Sequence, residues 1–159
     1  MKIVAWVSVL ILLLTLSGLI YLYHNTDVII SAVSLTVRSA QERAELFDNC
    51  KRLLSDGAFP GTVFSEESLT HPEDYAFHTY TLTLQNNCFI DAEMVEIQLT
   101  PAQGDILQLN DYEPLTLQKR SIKNAGASIL TASGNHAVRE LTVTYYIWGI
   151  PFRVSMLYG

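Results

Sequence analysis

The chain has 159 residues, of which 49% are hydrophobic and 16% are charged, with ten Lys and Arg against sixteen Asp and Glu. Apart from Lys2, nine basic side chains stand against sixteen acidic ones, so the rest of the chain carries a net charge of −7. An acidic surface repels phosphate groups, which argues against nucleic acid as a partner and against docking onto anionic lipid. The roughly 135 residues beyond the N-terminal segment suffice for one compact domain.

An apolar run lies near the N-terminus. It extends from Ile3 to Tyr23, and the charged residues nearest to it are Lys2 and Asp27. An α-helix rises about 1.5 Å per residue, so about 21 residues cover the roughly 30 Å of a hydrocarbon core. The pattern predicts a single transmembrane anchor over residues 1–24, in contact with membrane lipid. A cleaved signal peptide is the alternative, but the run is longer than a usual signal core and no small-x-small cleavage motif follows it.

The charges that flank this run predict its orientation. Lys2 precedes it and Asp27 follows it. Positive charge is retained on the cytoplasmic side of membrane proteins. We therefore expect a single-pass protein of the cell membrane with a cytoplasmic N-terminus and an extracytoplasmic body.

The chain contains two cysteines, Cys50 and Cys88. An even number in an oxidising compartment permits one disulfide, which would tie the predicted helix to the first hairpin. Two buried or free thiols are the alternative. Neither the cysteines nor the histidines have metal-site spacing, so no metal or other cofactor is expected.

The segment 25–57 is predicted to be a helical stalk. Asn25, Thr26 and Asp27 resemble an N-cap cluster, and Asp56-Gly57 resembles a helix end. Between them, apolar residues recur at helical steps at Ile29, Val33, Val37, Ala40, Ala44, Phe47 and Leu54. The alternative is a strand over Val28–Val37, which is rich in β-branched residues, with a helix only from about Ser39.

Residues 58–159 are predicted to form an antiparallel β-sandwich, so the fold class is mainly β with an N-terminal helix. The period changes to two after Tyr75, most clearly from Ala76 to Gln85 and from Glu140 to Ile147. Six or seven short strands with turns every 8 to 12 residues resemble immunoglobulin-like or fibronectin-type domains over Tyr75–Gly159. The resemblance is architectural, because the Cys–Trp–Cys arrangement of antibody domains is absent: Cys88 lies at a turn and Trp148 comes late.

No catalytic motif occurs in the sequence. It contains no G-x-S-x-G, S-x-x-K, H-E-x-x-H or phosphate-cradling glycine loop. The adjacent carboxylates Glu66-Glu67 and Glu73-Asp74 are typical of a solvated loop, and His78 is expected to be a hydrogen-bonded core or edge histidine rather than a catalytic base. The sequence therefore predicts that the protein is not an enzyme.

An aromatic cluster near the C-terminus is the predicted interaction surface. Tyr146 and Trp148 lie on the face of the last strands that threonines mark as solvated, and Ile150 and Pro151 follow at a rim. Large aromatic residues on such a face are frequent in binding sites. The alternative is that the stalk helix covers this face through Phe47 and Ala44.

These features predict a membrane-anchored extracytoplasmic interaction or assembly module, a non-enzymatic subunit of an envelope complex with a protein partner. A ligand-binding or sensing ectodomain is the first alternative, and it would require a concave pocket. The second alternative is a pilin-like or pseudopilin-like assembly subunit, and it is based only on the order of the predicted elements. An anchor that continues into a helical rod and then a β-domain resembles type IV pilins and pseudopilins, although the prepilin leader is missing.

Overall fold

The computed structural model describes residues 2–24, 27–65, 68–109 and 115–159. It is mainly β, with two antiparallel sheets that follow an apolar N-terminal helix. The helices are α1 (Lys2–His24) and α2 (Ala44–Ser55), and single 3-10 turns occur at Gln41–Arg43 and Pro72–Asp74. The strands are β1 (Val28–Ser39), β2 (Thr62–Val63), β3 (Tyr75–Asn86), β4 (Ala92–Leu99), β5 (Asp105–Leu109), β6 (Leu115–Leu117), β7 (Ile122–Ala132), β8 (Arg139–Ile147) and β9 (Ile150–Tyr158).

Helix α1 confirms the predicted apolar helix. Its segment Ile3–Tyr21 has a mean hydropathy of 2.6, is long and apolar enough to cross a membrane, and is nowhere buried against the rest of the protein. The Thr15 hydroxyl donates a hydrogen bond to the carbonyl of Leu12 at 2.8 Å, so this polar group is satisfied within the helix. The helix therefore presents an almost wholly apolar surface.

The first half of the predicted stalk is a strand, not a helix. Strand β1 pairs antiparallel with β3 along its whole length, from Val28 opposite Asn86 to Ser39 opposite Ala76. The prediction of a helical stalk is wrong over these residues, and the alternative of a strand over Val28–Val37 is confirmed. β-Branched residues favour a pleated surface, and β3 offers hydrogen-bond partners along the strand.

Helix α2 begins only at Ala44, so α1 and α2 are separated by a strand and form no continuous rod. The predicted end of α2 is confirmed, since Gly57 adopts the left-handed conformation with φ +64°. Four residues named in the sequence patterns, Asn25, Thr26, Glu66 and Glu67, lie outside the described residues.

The two sheets enclose the main core. One has the strand order β1-β3-β7-β5-β2 and the other the order β6-β4-β8-β9. The alternation predicted for β3 and β8 is confirmed, because Tyr80 and Leu82 of β3 and Leu141 and Val143 of β8 are fully buried. Their side chains belong to one cluster formed by both sheets. The described strands therefore pack as two layers around a shared interior.

Helix α2 covers a second apolar cluster on the outer face of the five-stranded sheet. Phe47 is buried, and its ring lies 5.6 Å from that of Tyr75 at the start of β3. Residues of opposite parity on β3 thus face different clusters: Phe77 packs with α2, and Tyr80 with the other sheet. This end of the body has three layers, helix on sheet on sheet.

The predicted disulfide between Cys50 and Cys88 is wrong, because both thiols are free and buried in different clusters. Cys50 lies on the buried face of α2 with Tyr75, where β3 begins, and Cys88 follows the end of β3. A strand rises about 3.3 Å per residue, so the length of β3 separates the two thiols by roughly 30 Å. A disulfide needs Cα atoms within about 7 Å.

We expect alkylation of the denatured, unreduced protein to modify two thiols in every chain. In the native protein the reaction should be slow, because burial raises the pKa of both Cys50 and Cys88 and keeps them protonated. Intact-mass analysis after iodoacetamide treatment measures both. A native chain two mass units lighter that resists labelling without a reductant would contradict the structure.

Candidate interaction surface

The predicted interaction surface lies around the turn between β8 and β9. Ile147 pairs with Ile150, so the turn consists of two residues, Trp148 and Gly149. The indole of Trp148 is 59% exposed. The other predicted residues flank it, with Ile150 and Pro151 exposed and Tyr146 half-buried. The structure therefore brings all four residues to one hairpin tip.

Helix α2 does not cover this hairpin. Phe47 packs beside Tyr75 in the cluster on the five-stranded sheet, and Ala44 is exposed. The alternative that the stalk helix packs over Trp148 is therefore wrong. The reason is the early strand β1, which places α2 at the far end of the five-stranded sheet.

The turn backbone is unusual for its residue type. Trp148 has φ +52° and Gly149 has φ +75°, which is the pattern of a type I′ hairpin turn. Asn, Asp and Gly occupy such positions at little cost, whereas a bulky L-residue in the left-handed region costs roughly 1–2 kcal/mol. Tryptophan at this position therefore destabilises the folded state.

We therefore expect Trp148→Asn to stabilise the protein by about 1 kcal/mol, because Asn tolerates the left-handed conformation and the exposed indole contributes little to the core. Thermal unfolding of the full chain in mild detergent measures the change. Ile147→Ala, which truncates the buried neighbour, should lower the melting temperature in the same assay. A lower melting temperature for Trp148→Asn would show that the contacts of the indole outweigh the strain of the left-handed backbone.

The hairpin tip belongs to one end of the body, which we call the basal end: β1 and β9 begin there, and β3 and β8 end there. Helix α1 ends beside it. The Tyr23 ring lies 5.5 Å from the Phe152 ring, and Phe152 stacks on Tyr145 at 5.6 Å. Three residues separate His24 from Val28, so the chain keeps the end of α1 close to the basal end.

Two further connections at the basal end expose apolar side chains. Phe89, in the loop between β3 and β4, is 64% exposed, and the Arg120 guanidinium lies 4.2 Å from its ring centroid. Asn86 ties this loop to the turn between β6 and β7, since its amide donates to the carbonyls of Ile90, Leu117 and Gln118. The Phe89–Arg120 pair is thus held by a buried amide. The sequence does not predict this pair, because Phe89 lies in no periodic pattern.

The edge strands of the two sheets, β1 and β9, lie next to each other. The core-facing residues Val28 and Ile30 at the start of β1 are buried, whereas toward the end of the body away from the basal end the cover is incomplete. Val37 is opposite the buried His78, and Met156 is opposite the buried Leu141, so both side chains point toward the interior. They are nevertheless 50% and 37% exposed. Core-facing apolar side chains are left uncovered here because no strand of the described residues lies between the two edges.

A buried ion pair joins the two sheets at the other end of the body. Arg139 at the start of β8 donates from Nε to Asp105 at 2.8 Å and from Nη2 at 2.6 Å, and both side chains are fully buried. Its Nη1 also donates to the Tyr80 hydroxyl at 2.9 Å. Burial alone would raise the pKa of the Asp105 carboxyl, but the hydrogen bonds from Arg139 and from the Ala102 amide lower it. Hydrogen bonds within the protein satisfy both charged groups, so the pair acts as a structural link between the two sheets.

His78 lies near this pair on the core face of β3. It is buried as predicted, but its Nδ1 atom has no hydrogen-bond partner among the described residues. Burial, and then the charge of Arg139, lowers the pKa of His78, so the ring is neutral at neutral pH. Among the described residues, no group of three His, Cys, Asp or Glu side chains could hold a metal ion.

A cavity of about 470 Å³ lies between the end of α2 and the segment that follows it. Its walls are formed by Lys51, Leu54, Ser55, Gly57, Phe59, Val63, Ser65, Ser68 and Leu69. Its volume falls within the range of small-molecule sites. The amine of Lys51 donates a hydrogen bond to the backbone carbonyl of Thr70 at 3.3 Å, so this charged group already has a partner within the protein.

No protein-family model matches the chain, and no curated protein matches it. Among solved structures, the chain is similar to one described as "Crystal structure of protein from Archaeoglobus fulgidus". The alignment covers 80% of this chain and 93% of that one, with 9% sequence identity and a TM-score of 0.35. A similarity at this level carries no argument about function.

Proposed function

We propose that the protein is a membrane-anchored interaction module and a non-enzymatic subunit of an envelope complex. In this proposal α1 is a retained single span, the N-terminus is cytoplasmic, and an immunoglobulin-like sandwich lies outside the cell membrane. The wholly exposed apolar surface of α1 and the two-layer β body that follows it support this arrangement. The charges Lys2 and Asp27 support the orientation.

The incomplete cover between β1 and β9 is the observation that carries the interaction role. Soluble bodies bury their core-facing apolar residues, whereas Val37 and Met156 remain accessible where the edge strands β1 and β9 adjoin, a region that we call the slot. Val33 and Leu35 of β1 and Val154 of β9 line the slot and are half-buried. Uncovered apolar surface of this kind is typical of binding sites.

The partner that fits this slot is an extended protein segment with alternating apolar residues. In a two-residue hairpin the closing pair exchanges both hydrogen bonds, so Ile150, Phe152 and Val154 bond toward β8. Arg153, Ser155 and Leu157 then direct their backbone groups toward the free edge. A partner strand could pair with that edge and place its apolar side chains against Val37 and Met156.

We expect a photo-crosslinking residue at position 37 to capture a partner segment in native membranes, and one at position 36 to capture none, since Thr36 points to the opposite face of β1. Peptide mapping of the adduct should identify an extended, apolar segment.

The double variant Val37→Glu/Met156→Glu should lower recovery of that partner in mild detergent by about tenfold, which corresponds to about 1.4 kcal/mol. Thr36→Glu/Ser155→Glu, on the outward faces of the same strands, is the matched control. Equal adducts at positions 36 and 37, or equal partner recovery from the two double variants, would contradict the interaction role of the slot.

The sensing alternative is favoured by one observation, the cavity beside α2. It has mainly apolar walls, with Phe59 and Leu69, and serine side chains also line it. In that function α2 would be the responsive element, because it forms one wall of the cavity.

A further inference from the structure

The basal end carries more exposed apolar surface than a solvated rim requires. Trp148 and Ile150 lie on the β8–β9 hairpin, Phe89 on the β3–β4 loop and Ile122 at the start of β7. All four are exposed, and they come from three separate stretches of the chain. Large apolar patches on soluble bodies mark contact surfaces. The basal end is therefore a surface that something covers.

The position of α1 identifies what covers it. Tyr23, near the last turn of the apolar helix, contacts Phe152, and Trp148 lies four residues before Phe152. Strand β9 rises about 3.3 Å per residue, so the hairpin tip lies within roughly 10–15 Å of the end of α1. If α1 spans a bilayer, this distance places the tip at the headgroup region of the same bilayer.

We propose that the basal end rests in the interfacial layer of the membrane, with Trp148, Ile150 and Phe89 inserted among the phospholipid headgroups and upper acyl chains. The inference rests on the proposed function, because it needs α1 to be a span. It assigns a lipid surface, rather than a protein partner, to the hairpin that the sequence predicts as an interaction surface. The protein partner then binds the slot between β1 and β9.

The residue chemistry fits a lipid interface. Tryptophan is enriched at that depth because its ring is apolar and its N–H is a donor. The Arg120 guanidinium, stacked on Phe89, is placed to bind a phosphate where the ring enters the apolar layer. The strained backbone of Trp148 is also accounted for, since an asparagine would suit the turn but would give no insertion energy.

Charge does not drive this contact. The basic residues of the basal end, Lys119, Arg120 and Lys123, lie in the same part of the fold as the acidic residues Asp27, Asp91 and Glu93. The Asp91 carboxylate already accepts a hydrogen bond from the Lys119 amide at 2.7 Å. The local charges balance, so a zwitterionic phospholipid is a sufficient ligand.

The sequence contains two tryptophans, Trp6 in α1 and Trp148 in the hairpin, which makes the test direct. The full chain with Trp6→Phe is reconstituted into phosphatidylcholine vesicles, so Trp148 is the one fluorescent indole. We expect its emission to be blue-shifted and to be quenched by lipid brominated high on the acyl chain, and more weakly by lipid brominated near the chain end. A chain with Trp6→Phe, Trp148→Phe and Leu157→Trp, which moves the indole to the exposed far end of β9, should show no quenching.

The companion variant Trp148→Phe keeps Trp6 and reports on α1. Quenching of Trp6 without quenching of Trp148 overturns the basal contact and leaves the anchor standing. Quenching of neither indole overturns both. If Trp148 is unquenched in pure lipid vesicles but shielded from aqueous iodide in native membranes, a protein covers the hairpin and the lipid assignment is wrong.

Discussion

Arg139→Met is expected to destabilise the protein by roughly 3–5 kcal/mol, because it leaves the Asp105 carboxylate buried without its counter-charge. Both members of the pair are fully buried, and Arg139 also donates to Tyr80 across the core. Urea unfolding of the full chain in mild detergent measures the loss. The variant Arg153→Met removes an exposed arginine from β9 and should change stability by less than about 0.5 kcal/mol.

A second variant and a change of pH separate the ion pair from simple loss of packing. Asp105→Asn/Arg139→Met removes both charges and should recover part of the stability lost in the single variant. The pKa of Asp105 is lowered in the native protein, so the stability it contributes is present above its unfolded-state pKa and is lost as the pH falls through its native pKa. In Arg139→Met, acid should instead reduce the penalty, because a protonated Asp105 carries no buried charge. A single-variant penalty that is independent of pH and is not relieved in the double variant would contradict the electrostatic account.

Phe47→Ala is expected to cost about 3–5 kcal/mol, because the ring is fully buried between α2 and the five-stranded sheet. The same unfolding measurement applies, and Glu45→Ala, on the exposed face of α2, is the control. Hydrogen exchange should show that the amides of α2 lose protection in Phe47→Ala while those of β8 change less. A cost below about 1 kcal/mol would mean that α2 is a separate stalk and not a layer of the body.

The parts of the fold that the sequence predicts are those in which one burial pattern dominates. Helix α1 is evident because it is apolar on every face, and β3 and β8 because Tyr80 or Leu141 alternates with solvated threonines. The sequence pattern of β1 is ambiguous, because its core-facing residues Val33 and Val37 also recur at a helical step of four. Its β-branched residues gave the correct signal, and pairing with β3 decided the outcome.

The candidate surfaces were predictable to different degrees. The hairpin around Trp148 was evident because Gly149 interrupts a two-residue period. The slot was not, because exposure of Val37 and Met156 depends on which strands are edges, and strand order is not encoded locally. One part of the ion pair can be predicted from the sequence. The two-residue period of β8 places Arg139 on the same buried face as Leu141 and Val143, and a buried charge needs a buried partner. Nothing in the local sequence identified Asp105, 34 residues away, as that partner.

The central claim is that a retained helix anchors an extracytoplasmic body, and protease treatment of intact protoplasts followed by mass analysis of the membrane fraction tests it most directly. The account predicts that residues beyond about Asp27 are degraded, while a fragment that contains Ile3–Tyr21 remains protected in the membrane. A body that is digested only after lysis would place it in the cytoplasm, and a membrane fraction without the N-terminal fragment would show that α1 is not a span.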